Sequence, residues 1–598
     1  MKIISIHVGH NATVGLTIDG LLISLVHEER ITRKKNFTGF PLAALKFTIT
    51  KYLNNCLHNV DKVIFTDKTS LAHNISLTQS FNNTLEINNS IFDYAYTKKK
   101  NILRYYYFFI FFKQLKLIFI LNFLTKFKGK IRELLNSCDY KKKKFLKNIS
   151  RIHSDISFNW NKVFFFDHHE CHALSALYFL ENLDKEYLIF TMDGEGDGLS
   201  STVYSFKNRI TNISWNSKFD SVGFVYYYTT EYLGLKPNSH EFKVMGMSPY
   251  AKKKDVERIC DKIKKIVSLD ERGNIKSVVA GGLLRYELKN IFDYERFDNI
   301  CGASQKFLED ITIEWVEFWI KKTGIKDIIL GGGVFMNIKA CHNILKSSYI
   351  KSLYVMPSSS DDSLAIGGLW KANNQSNIKI TPIKNLYLGR SFEKELDNFL
   401  DDKEITDYYK IIKFNNYNEL NKVVSELLSN NKIIARCCGR EEFGARALGN
   451  RSIISNPSNF ENINKINNTI KSRDFWMPFS PTILDTDVDL YFYNLKDFNS
   501  KYMTCSFDSK DLAKKHLVAA IHPLDKTLRP QTVTKDDNPS YYDLILQFKE
   551  KTGVGAVLNT SFNLHGEPNV SSYNDAIYTV NNSELRYLIL ENYLLEKK

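Results

Sequence analysis

Residues 325–345 read IKDIILGGGVFMNIKACHNIL, an apolar run, three consecutive glycines and a second apolar stretch with helical spacing. The pattern predicts a buried strand that turns directly into a helix. Glycines at such a turn leave backbone N–H groups bare at a helix N-terminus, which suits a phosphate or a nucleotide. The spacing matches neither the Rossmann nor the P-loop pattern, so this turn only suggests that function when it is taken alone.

Two strand-turn-strand patterns lie upstream of the glycine turn. The first forty residues alternate apolar and polar side chains on both sides of Asp19-Gly20, which predicts a β-hairpin. Residues 186–206, EYLIFTMDGEGDGLSSTVYSF, place acids and glycines between two β-rich runs, and such a turn can bring carboxylates and amides to a phosphate or a metal. The three turns together indicate an α/β fold with a duplicated actin/Hsp70-like core, in which a nucleotide lies between two halves.

Length and composition indicate a globular protein of several domains. The 598 residues are 43% apolar and 25% charged, which is ordinary for a folded chain. The net charge of +15 is compatible with nucleic acid, a membrane surface or an anionic substrate, but no nucleic-acid-binding motif accompanies it. Nine cysteines without a Cys-x-x-Cys pair favour reduced thiols in a cytoplasmic protein, and the first residues lack the pattern of a signal peptide.

Residues 101–130, NILRYYYFFIFFKQLKLIFILNFLTKFKGK, are strongly apolar and basic. Arg104, Lys113 and Lys116 divide them into uncharged runs far shorter than the roughly 18 residues that a membrane-spanning helix needs. We therefore predict one or two helices with a large buried face, and an arm that binds a membrane surface or a partner is the alternative. No transmembrane segment is expected.

Residues 166–180, FDHHECHALSALYFL, place three histidines, an acid and a cysteine before an apolar stripe with helical spacing. In a helix that begins after an Asp167 N-cap, His168 and His172 stand four residues apart on one face and can hold one cation. Two ligands do not complete a coordination shell, so a further ligand must come from elsewhere in the chain. The residues alone leave two interpretations open, a metal-binding pair and a polar helix start.

A change of composition at residues 380–410, with turns, charges and no long apolar run, predicts a domain boundary. Residues 433–457, IIARCCGREEFGARALGNRSIISNP, then carry four arginines interleaved with glycines. These arginines are Arg436, Arg440, Arg446 and Arg451. A planar guanidinium can bind phosphate through two parallel hydrogen bonds, and glycine lets a small anion approach the backbone. An anion-binding pocket is therefore favoured over structural salt bridges.

Eleven strings, in order along the chain, resemble the O-carbamoyltransferases of the nodulation and antibiotic-tailoring family. They are GHNATVG, EERITRKK, DHHECHALSA, DGEGD, EFKVMGMSPYA, GGGVFMN, PSSSDDSLAIGG, GREEFGARALGNRSI, KSRDFWMPFSP, HPLDKTLRPQTV and LNTSFNLHGEP. The resemblance implies a domain at residues 1–385 similar to the tRNA threonylcarbamoyl transferase, with an atypical insert near 97–150. It implies a second α/β domain at residues 386–598 similar to the threonylcarbamoyl-adenylate synthase (YrdC-like). The chain departs from the family pattern at Met477, where many relatives carry arginine, and at Ser363, where glycine is common.

The resemblance implies ATP-dependent O-carbamoyl transfer in two steps. Carbamoyl phosphate and ATP would give carbamoyl adenylate in the second domain, and the first domain would pass the carbamoyl group to a hydroxyl of a small-molecule acceptor, a sugar or another secondary metabolite. The expected cofactors are a divalent metal, most consistent with iron, and Mg-ATP as a substrate. Nucleic acid is not an expected partner, and a homodimer is compatible with the family. The alternatives are a threonylcarbamoyl-type tRNA-modifying enzyme and a nucleotide-binding interaction protein without turnover.

The resemblance also implies roles for individual residues. His168, His172 and Asp361 would bind the metal, as two histidines and one carboxylate with open coordination positions. His10 would be the general base for the acceptor hydroxyl, with a structural turn histidine as the alternative. The residues implied in nucleotide binding are Asp193, Gly194, Glu241, Gly331, Gly332, Gly333 and Asn337. Those implied in holding carbamoyl phosphate and the ATP phosphates are Arg440, Arg446, Arg451, Lys471, Arg529 and Ser561.

Overall fold

The computed structural model describes residues 1–68, 139–153, 156–392, 396 and 403–598. The predicted helices at residues 101–130 lie outside these residues, as does most of the predicted insert near 97–150. Within the described residues, no helix combines the length and the apolar character needed to cross a membrane.

A five-stranded mixed sheet opens the chain. The strands of this region are β1 (Lys2–His7), β2 (Gly9–His10), β3 (Thr13–Ile18), β4 (Leu21–His27), β5 (Thr38–Gly39), β6 (Lys62–Phe65) and β7 (Val163–Phe165). The sheet order is β4-β3-β1-β6-β7, in which β3 is antiparallel to its neighbours and β6 and β7 are parallel to β1. The predicted hairpin is confirmed, because Asp19 and Gly20 join β3 to β4 with φ angles of 49° and 80°, and two positive φ angles are typical of a tight hairpin turn.

A second five-stranded sheet repeats the topology of the first. The strands of this region are β8 (Tyr187–Gly196), β9 (Leu199–Lys207), β10 (Arg209–Ser217), β11 (Val267–Leu269), β12 (Ile275–Ser277), β13 (Asp327–Gly331) and β14 (Ser352–Val355). The sheet order is β10-β9-β8-β13-β14, with β9 antiparallel to its neighbours and β13 and β14 parallel to β8. Equal strand order and equal strand directions are what the predicted duplicated α/β core requires.

Two helices lie between these sheets. The helices of this part of the chain are α1 (Glu28–Thr32), α2 (Leu42–Tyr52), α3 (Asp139–Ile152), α4 (His168–Leu177), α5 (Val222–Tyr232), α6 (Glu241–Met247), α7 (Lys253–Lys264), α8 (Leu284–Phe292), α9 (Phe297–Thr323), α10 (Ile338–Lys346) and α11 (Leu364–Asn374). Helix α4 packs on β8 and β13, α11 packs on β1 and β3, and the two helices contact each other. A Cβ atom at Gly367 would lie 1.9 Å from the carbonyl oxygen of Cys171, so the close approach of α4 and α11 requires glycine there.

The C-terminal part of the chain forms an eight-stranded mixed sheet with flanking helices. Its strands are β15 (Tyr409–Lys413), β16 (Ile434–Cys437), β17 (Arg451–Ser455), β18 (Ser480–Leu484), β19 (Phe507–Asp508), β20 (Thr527–Leu528), β21 (Gln531–Val533), β22 (Ala556–Ser561), β23 (Tyr587–Leu590) and β24 (Tyr593–Lys597). The sheet order is β15-β24-β23-β16-β17-β22-β18-β21, and β19 pairs with β20 apart from it. The helices are α12 (Lys403–Tyr408), α13 (Tyr417–Ser429), α14 (Glu461–Ile466), α15 (Val488–Tyr491), α16 (Asp511–His516), α17 (Pro539–Thr552) and α18 (Tyr573–Asn581). The described fold is thus a mixed α/β fold throughout.

Candidate functional site

Helix α4 begins where the sequence predicts. Asp167 is its N-cap, and the side chain of Asp167 accepts the backbone N–H of Glu170 at 3.1 Å. Asp197 accepts the backbone N–H of His168 at 3.0 Å, which anchors the first turn a second time. His168 and His172 are buried, with 3% and 0% of their surface exposed. Buried imidazoles need polar partners, so this helix start is not a merely solvated polar turn.

Four side chains converge at this end of α4, and we call them the metal cluster. They are His168, His172, Asp193 and Asp361, and one ligand atom of each lies within 4.8 Å of the others. Nε2 of His172 is 3.2 Å from Asp193 Oδ2 and 3.6 Å from Asp361 Oδ1. Nε2 of His168 is 3.8 Å and 3.9 Å from the same two carboxylates. Since an ion at about 2.0–2.2 Å from each ligand keeps its ligands within roughly 4 Å of one another, the arrangement fits one cation with little adjustment.

The chemistry of these residues fits a divalent metal ion. Nε2 of His168 is buried and has no hydrogen-bond partner among the described residues, although a buried polar atom is normally paired. Two imidazoles and two carboxylates suit ions such as iron, manganese or zinc. The side chains of Asp193 and Asp361 keep 18% and 20% of their surface exposed. The metal cluster is therefore open on one side, where a substrate could reach it.

His168 and Asp193 of the metal cluster shift each other's pKa values toward the charged forms. Burial by itself would raise the pKa of Asp193, but its interactions with His168 and His172 hold that pKa well below the ordinary value. Burial opposes protonation of His168, yet Asp193 and Asp67 raise the pKa of His168 well above its ordinary value. His169 lies outside the cluster, because its Nδ1 is 2.8 Å from the hydroxyl of Thr191. The carboxylate of Asp193 thus remains ionised, as a metal ligand must be.

Asp193 joins the metal cluster, whereas the sequence predicts it in the nucleotide cleft. Its Oδ1 accepts the backbone N–H of Gly194 at 2.7 Å, and the N–H of Gly333 points at its Oδ2 from 3.4 Å. Asp193 therefore connects the metal cluster to the glycine turn. The string DGEGD contains this acid at the end of a buried strand, but its neighbours depend on the parallel pairing of β8 with β13, which no local pattern reveals.

The predicted glycine turn forms, and its glycines are needed for packing against the metal cluster. β13 runs into a short helical turn at Gly333–Met336. A Cβ atom at Gly331 would lie 3.1 Å from the carbonyl oxygen of His172, and one at Gly332 would lie 2.4 Å from that of Met192. Gly332 also has a φ angle of 94°, which favours glycine. The turn is therefore pressed against α4 and β8.

Two residues predicted to bind nucleotide have structural partners of their own. Oδ1 of Asn337 caps α10 by accepting the N–H of Ala340 at 3.0 Å, and its amide exchanges hydrogen bonds of 3.0 Å and 2.8 Å with Gln305. The side chain of Glu241 accepts the N–H of Asn238 at 2.6 Å, and burial raises the pKa of Glu241. Asn337 thus has a capping role that explains its presence without a ligand, whereas Glu241 faces the region of His10.

His10 lies beside the loop that carries Asp361. The side-chain amide of Asn11 donates to the hydroxyl of Ser360 at 3.1 Å, which ties the two loops together. Nε2 of His10 is buried and has no hydrogen-bond partner among the described residues. An unpaired imidazole nitrogen next to the metal cluster is in a position to accept a proton from a bound hydroxyl.

A second group of charged side chains lies at the eight-stranded sheet, and we call it the cation cluster. It consists of Arg446, Lys471, Arg473 and Arg529, and among the described residues no carboxylate pairs with any of them. Their hydrogen bonds go to neutral oxygens. Arg473 donates to the hydroxyl of Thr560 at 3.0 Å, and Arg529 donates twice to the hydroxyl of Ser480, at 3.0 Å and 2.8 Å. Lys471 donates to Ser561 Oγ at 3.2 Å and to Asn563 Oδ1 at 2.8 Å.

The cation cluster is electrostatically uncompensated. Burial lowers the pKa of Arg446 to about 10, and burial together with Arg446 lowers the pKa of Arg473 to about 10. Burial, Arg473 and Lys35 hold the pKa of Lys471 well below its ordinary value. Cations that repel one another away from water favour a bound anion. The structure thus brings the predicted Arg446, Lys471, Arg529 and Ser561 together. Arg473 is absent from the prediction, although it stands in the quoted string KSRDFWMPFSP.

Arg440 and Arg451, both predicted to hold phosphate groups, donate hydrogen bonds to the backbone in this structure. Arg451 is fully buried, and its five N–H groups donate to backbone carbonyl oxygens. The acceptors are Arg390, Cys438, Gly439, Asn450 and Ser571. Arg440 donates to the carbonyl oxygens of Ile23, Leu388 and Gly389. Both side chains hold the backbone around the glycine-rich loop, and of the four arginines of the predicted pocket only Arg446 belongs to the cation cluster.

Two family models match the chain. The model described as carbamoyltransferase N-terminus matches residues 2–369, and the model described as carbamoyltransferase C-terminus matches residues 425–597. The chain belongs to the carbamoyltransferase family. The metal cluster lies within the first matched range and the cation cluster within the second. The predicted resemblance to the O-carbamoyltransferases is confirmed, and the protein is an enzyme of carbamoyl transfer.

Relatives of this carbamoyltransferase occur in archaea and bacteria. An uncharacterized protein of Methanocaldococcus jannaschii is 32% identical over 461 residues, which cover 72% of this chain and 74% of that protein. Nodulation protein NolO of Bradyrhizobium diazoefficiens is 30% identical over 443 residues, which cover 72% of this chain and 79% of that protein. The 3'-hydroxymethylcephem-O-carbamoyltransferase of Streptomyces clavuligerus is 29% identical over 154 residues, which cover 26% of this chain and 28% of that enzyme.

Proposed function

We propose that this carbamoyltransferase is ATP-dependent and works in two steps, in a transfer domain at residues 1–385 and a second domain at residues 386–598 that is similar to the threonylcarbamoyl-adenylate synthase. The observation that carries the proposal is the cation cluster, in which Lys471 is buried, the three arginines are half-buried, and none has a carboxylate partner among the described residues. Carbamoyl phosphate and ATP are anions that would supply the missing negative charge. The metal cluster is built on other strands and serves a different step.

The first step forms carbamoyl adenylate at the cation cluster. Water releases phosphate from carbamoyl phosphate and leaves carbamate. A carbamate oxygen then attacks the α-phosphorus of ATP, a new oxygen–phosphorus bond forms, and pyrophosphate departs. Arg446, Arg473 and Arg529 hold the phosphate groups and neutralise the charge on the departing pyrophosphate. Lys471, whose Nζ donates to Ser561 and Asn563, adds its positive charge to the same site.

The second step transfers the carbamoyl group to a hydroxyl of the acceptor. His10 takes the hydroxyl proton, the oxygen attacks the carbamoyl carbon, and the bond from that carbon to AMP breaks. The metal cluster of His168, His172, Asp193 and Asp361 would hold a divalent ion, for which iron fits the ligand set. When bound, such an ion supplies a Lewis acid for the carbamoyl group. The amides of Gly331–Gly333, with Gly194 and Glu241 nearby, line the place where the adenylate lies.

The acceptor is a small molecule with a free hydroxyl, a sugar or another secondary metabolite. The similarity to an enzyme named for O-carbamoyl transfer to a cephem supports this class of acceptor. The chain is a cytoplasmic enzyme in this proposal, and it needs no nucleic-acid partner. A screen of hydroxyl compounds, read by mass spectrometry as the gain of one carbamoyl group, identifies the acceptor.

Pyrophosphate release tests the first step without knowledge of the acceptor. We expect release above background only when carbamoyl phosphate and Mg-ATP are both present. Arg529→Met should reduce the rate by at least about 100-fold, since one lost charge-assisted contact to a reacting group is commonly worth 2–4 kcal/mol. Arg209→Met, at an exposed arginine of the edge strand β10, is the matched control and should leave the rate unchanged. Absence of release, or release with ATP alone, would rule out this step.

A further inference from the structure

We infer that Asp67 is a positioning residue that sets the tautomer of His168, so that Nε2 of His168 faces the metal cluster, and that Ser363 does the same for His172. The inference rests on the proposed metal site and goes beyond its four ligands. Metal-binding histidines commonly donate their second ring N–H to a fixed acceptor, which orients the ring and makes the other nitrogen a stronger ligand.

Asp67 stands two residues after β6 and is almost fully buried, with 2% of its surface exposed. Its Oδ1 lies 3.0 Å from Nδ1 of His168. The carboxylate oxygen accepts this hydrogen bond, so Nδ1 carries the proton and Nε2 is the ring nitrogen left for a metal ion. Nε2 of His168 has no hydrogen-bond partner among the described residues and faces Asp193 and Asp361.

The second oxygen of Asp67 faces the turn that carries the candidate base. Oδ2 lies 3.3 Å from Nδ1 of His7, and Nε2 of His7 donates to the carbonyl oxygen of His10 at 3.1 Å. Thr66 contacts the same histidine, with its hydroxyl 3.2 Å from Nδ1 of His7. Asp67 thus lies between the ligand His168 and His7, and His7 in turn bonds to the turn of His10.

Ser363 has the corresponding place beside His172. Its hydroxyl donates to the carbonyl oxygen of Ser360 at 2.9 Å, so its lone pair accepts from Nδ1 of His172 at 3.3 Å. Nε2 of His172 is then the ring nitrogen that faces the metal cluster, 3.2 Å from Asp193 Oδ2. The hydrogen bond from His172 to Ser363 is longer than the one from His168 to Asp67, and its acceptor is neutral. Neutral hydrogen bonds are roughly half as strong as charge-assisted ones. The contribution of Ser363 should therefore be the smaller of the two.

Titration of metal-free protein with Co²⁺ tests the inference, because the visible absorption of bound Co²⁺ reports the geometry of its ligands. Asp67→Asn should weaken Co²⁺ binding by about 10–100-fold and shift the absorption bands. Ser363→Gly should shift the same bands with a smaller loss of affinity. Thr66→Val is the matched control, since it alters the buried residue next to Asp67, whose hydroxyl contacts His7, without changing a contact of His168. This variant should bind Co²⁺ with the wild-type affinity and spectrum.

The possible results separate the inference from the proposed metal site. If the wild-type protein binds no Co²⁺, the proposed site itself is wrong. If the wild type binds Co²⁺ while Asp67→Asn binds within twofold of it and with the same spectrum, the metal site stands and the role of Asp67 is refuted. Circular dichroism and thermal unfolding of the metal-free variants establish that they fold. Should Asp67→Asn not fold, Ser363→Gly decides, because an unchanged spectrum and affinity there overturn the positioning of the histidines.

Discussion

At the residue scale, Arg446 shows how a binding site can lower the stability of the free protein. Its guanidinium is half-buried, burial lowers its pKa to about 10, and it repels Arg473 and Arg529. Arg446→Met removes this repulsion, so we expect the ligand-free protein to gain roughly 0.5–2 kcal/mol of stability, a range common for replacements that relieve a strained site. The same variant should lose most pyrophosphate release. Thermal unfolding without ligands and the release assay measure the two effects, and a lower unfolding temperature would contradict the picture of a strained cluster.

Lys471 should make anion binding depend on pH. Burial and neighbouring cations hold the pKa of Lys471 well below that of a free lysine. A bound anion favours the ammonium form, so affinity for sulfate should be full below this lowered pKa and fall as the pH rises through it. Sulfate is the probe because its charge stays constant from neutral to alkaline pH, and calorimetric titration gives the affinity.

Lys471→Arg provides the control for this pH dependence below about pH 10, the value to which burial lowers the pKa of Arg446 and Arg473, because a guanidinium holds its proton more tightly than an ammonium group does. Its affinity profile should be flat where that of the wild type falls. Equal slopes for the two proteins would assign the pH dependence to another group.

At the scale of single elements, Glu442 holds the loop that carries Arg446. Its Oε1 accepts the backbone N–H groups of Leu448, Asn450 and Arg451 at 2.7, 2.8 and 3.0 Å. Glu442→Ala leaves three buried donors without a partner, and each costs about 1–3 kcal/mol. We expect a loss of roughly 3 kcal/mol or more in stability and weaker sulfate binding. Glu442→Gln retains Oε1 and should lose less, so equal losses in the two variants, measured by thermal unfolding, would contradict this role.

Elements with a local code could be predicted from the sequence. Asp19-Gly20 supplies the two positive φ angles of a tight hairpin, and Asp167 caps α4 with its own side chain, so both depend on residues within a few positions. The pair His168 and His172 is likewise set by the period of one helix. Each of these features depends on residues a few positions apart, so the sequence alone is enough to predict it.

Other features depend on contacts between distant parts of the chain. Arg451 resembles a phosphate ligand in sequence, but carbonyl oxygens as far away as Arg390 and Ser571 use its donors. Asp193 belongs to the metal cluster because β8 pairs with β13 and α4 packs on both strands. A single sequence predicts which side chains can bind an anion or a metal, but it does not show which of them are already hydrogen-bonded to the backbone of the folded protein.

At the scale of the whole molecule, the two clusters divide the proposed reaction between different sheets. The metal cluster lies at α4, beside β8 and β13, whereas the cation cluster is held by residues of the eight-stranded sheet, among them Ser480 and Thr560. His172 contributes Nε2 to the first cluster only. His172→Ala should therefore abolish carbamoyl transfer and reduce the bound divalent metal, while pyrophosphate release stays close to the wild-type rate.

His169→Asn is the matched control for His172→Ala. His169 is equally buried in the same helix turn, but its Nδ1 contacts Thr191, and an asparagine amide can replace that contact. This variant should keep its metal and its transfer activity. Metal analysis, the release assay and product mass measured on both variants test the division of labour. If His172→Ala lost both steps in equal measure while its fold persisted, the two clusters would belong to one site, because a ligand of one cluster would then be needed for chemistry at the other.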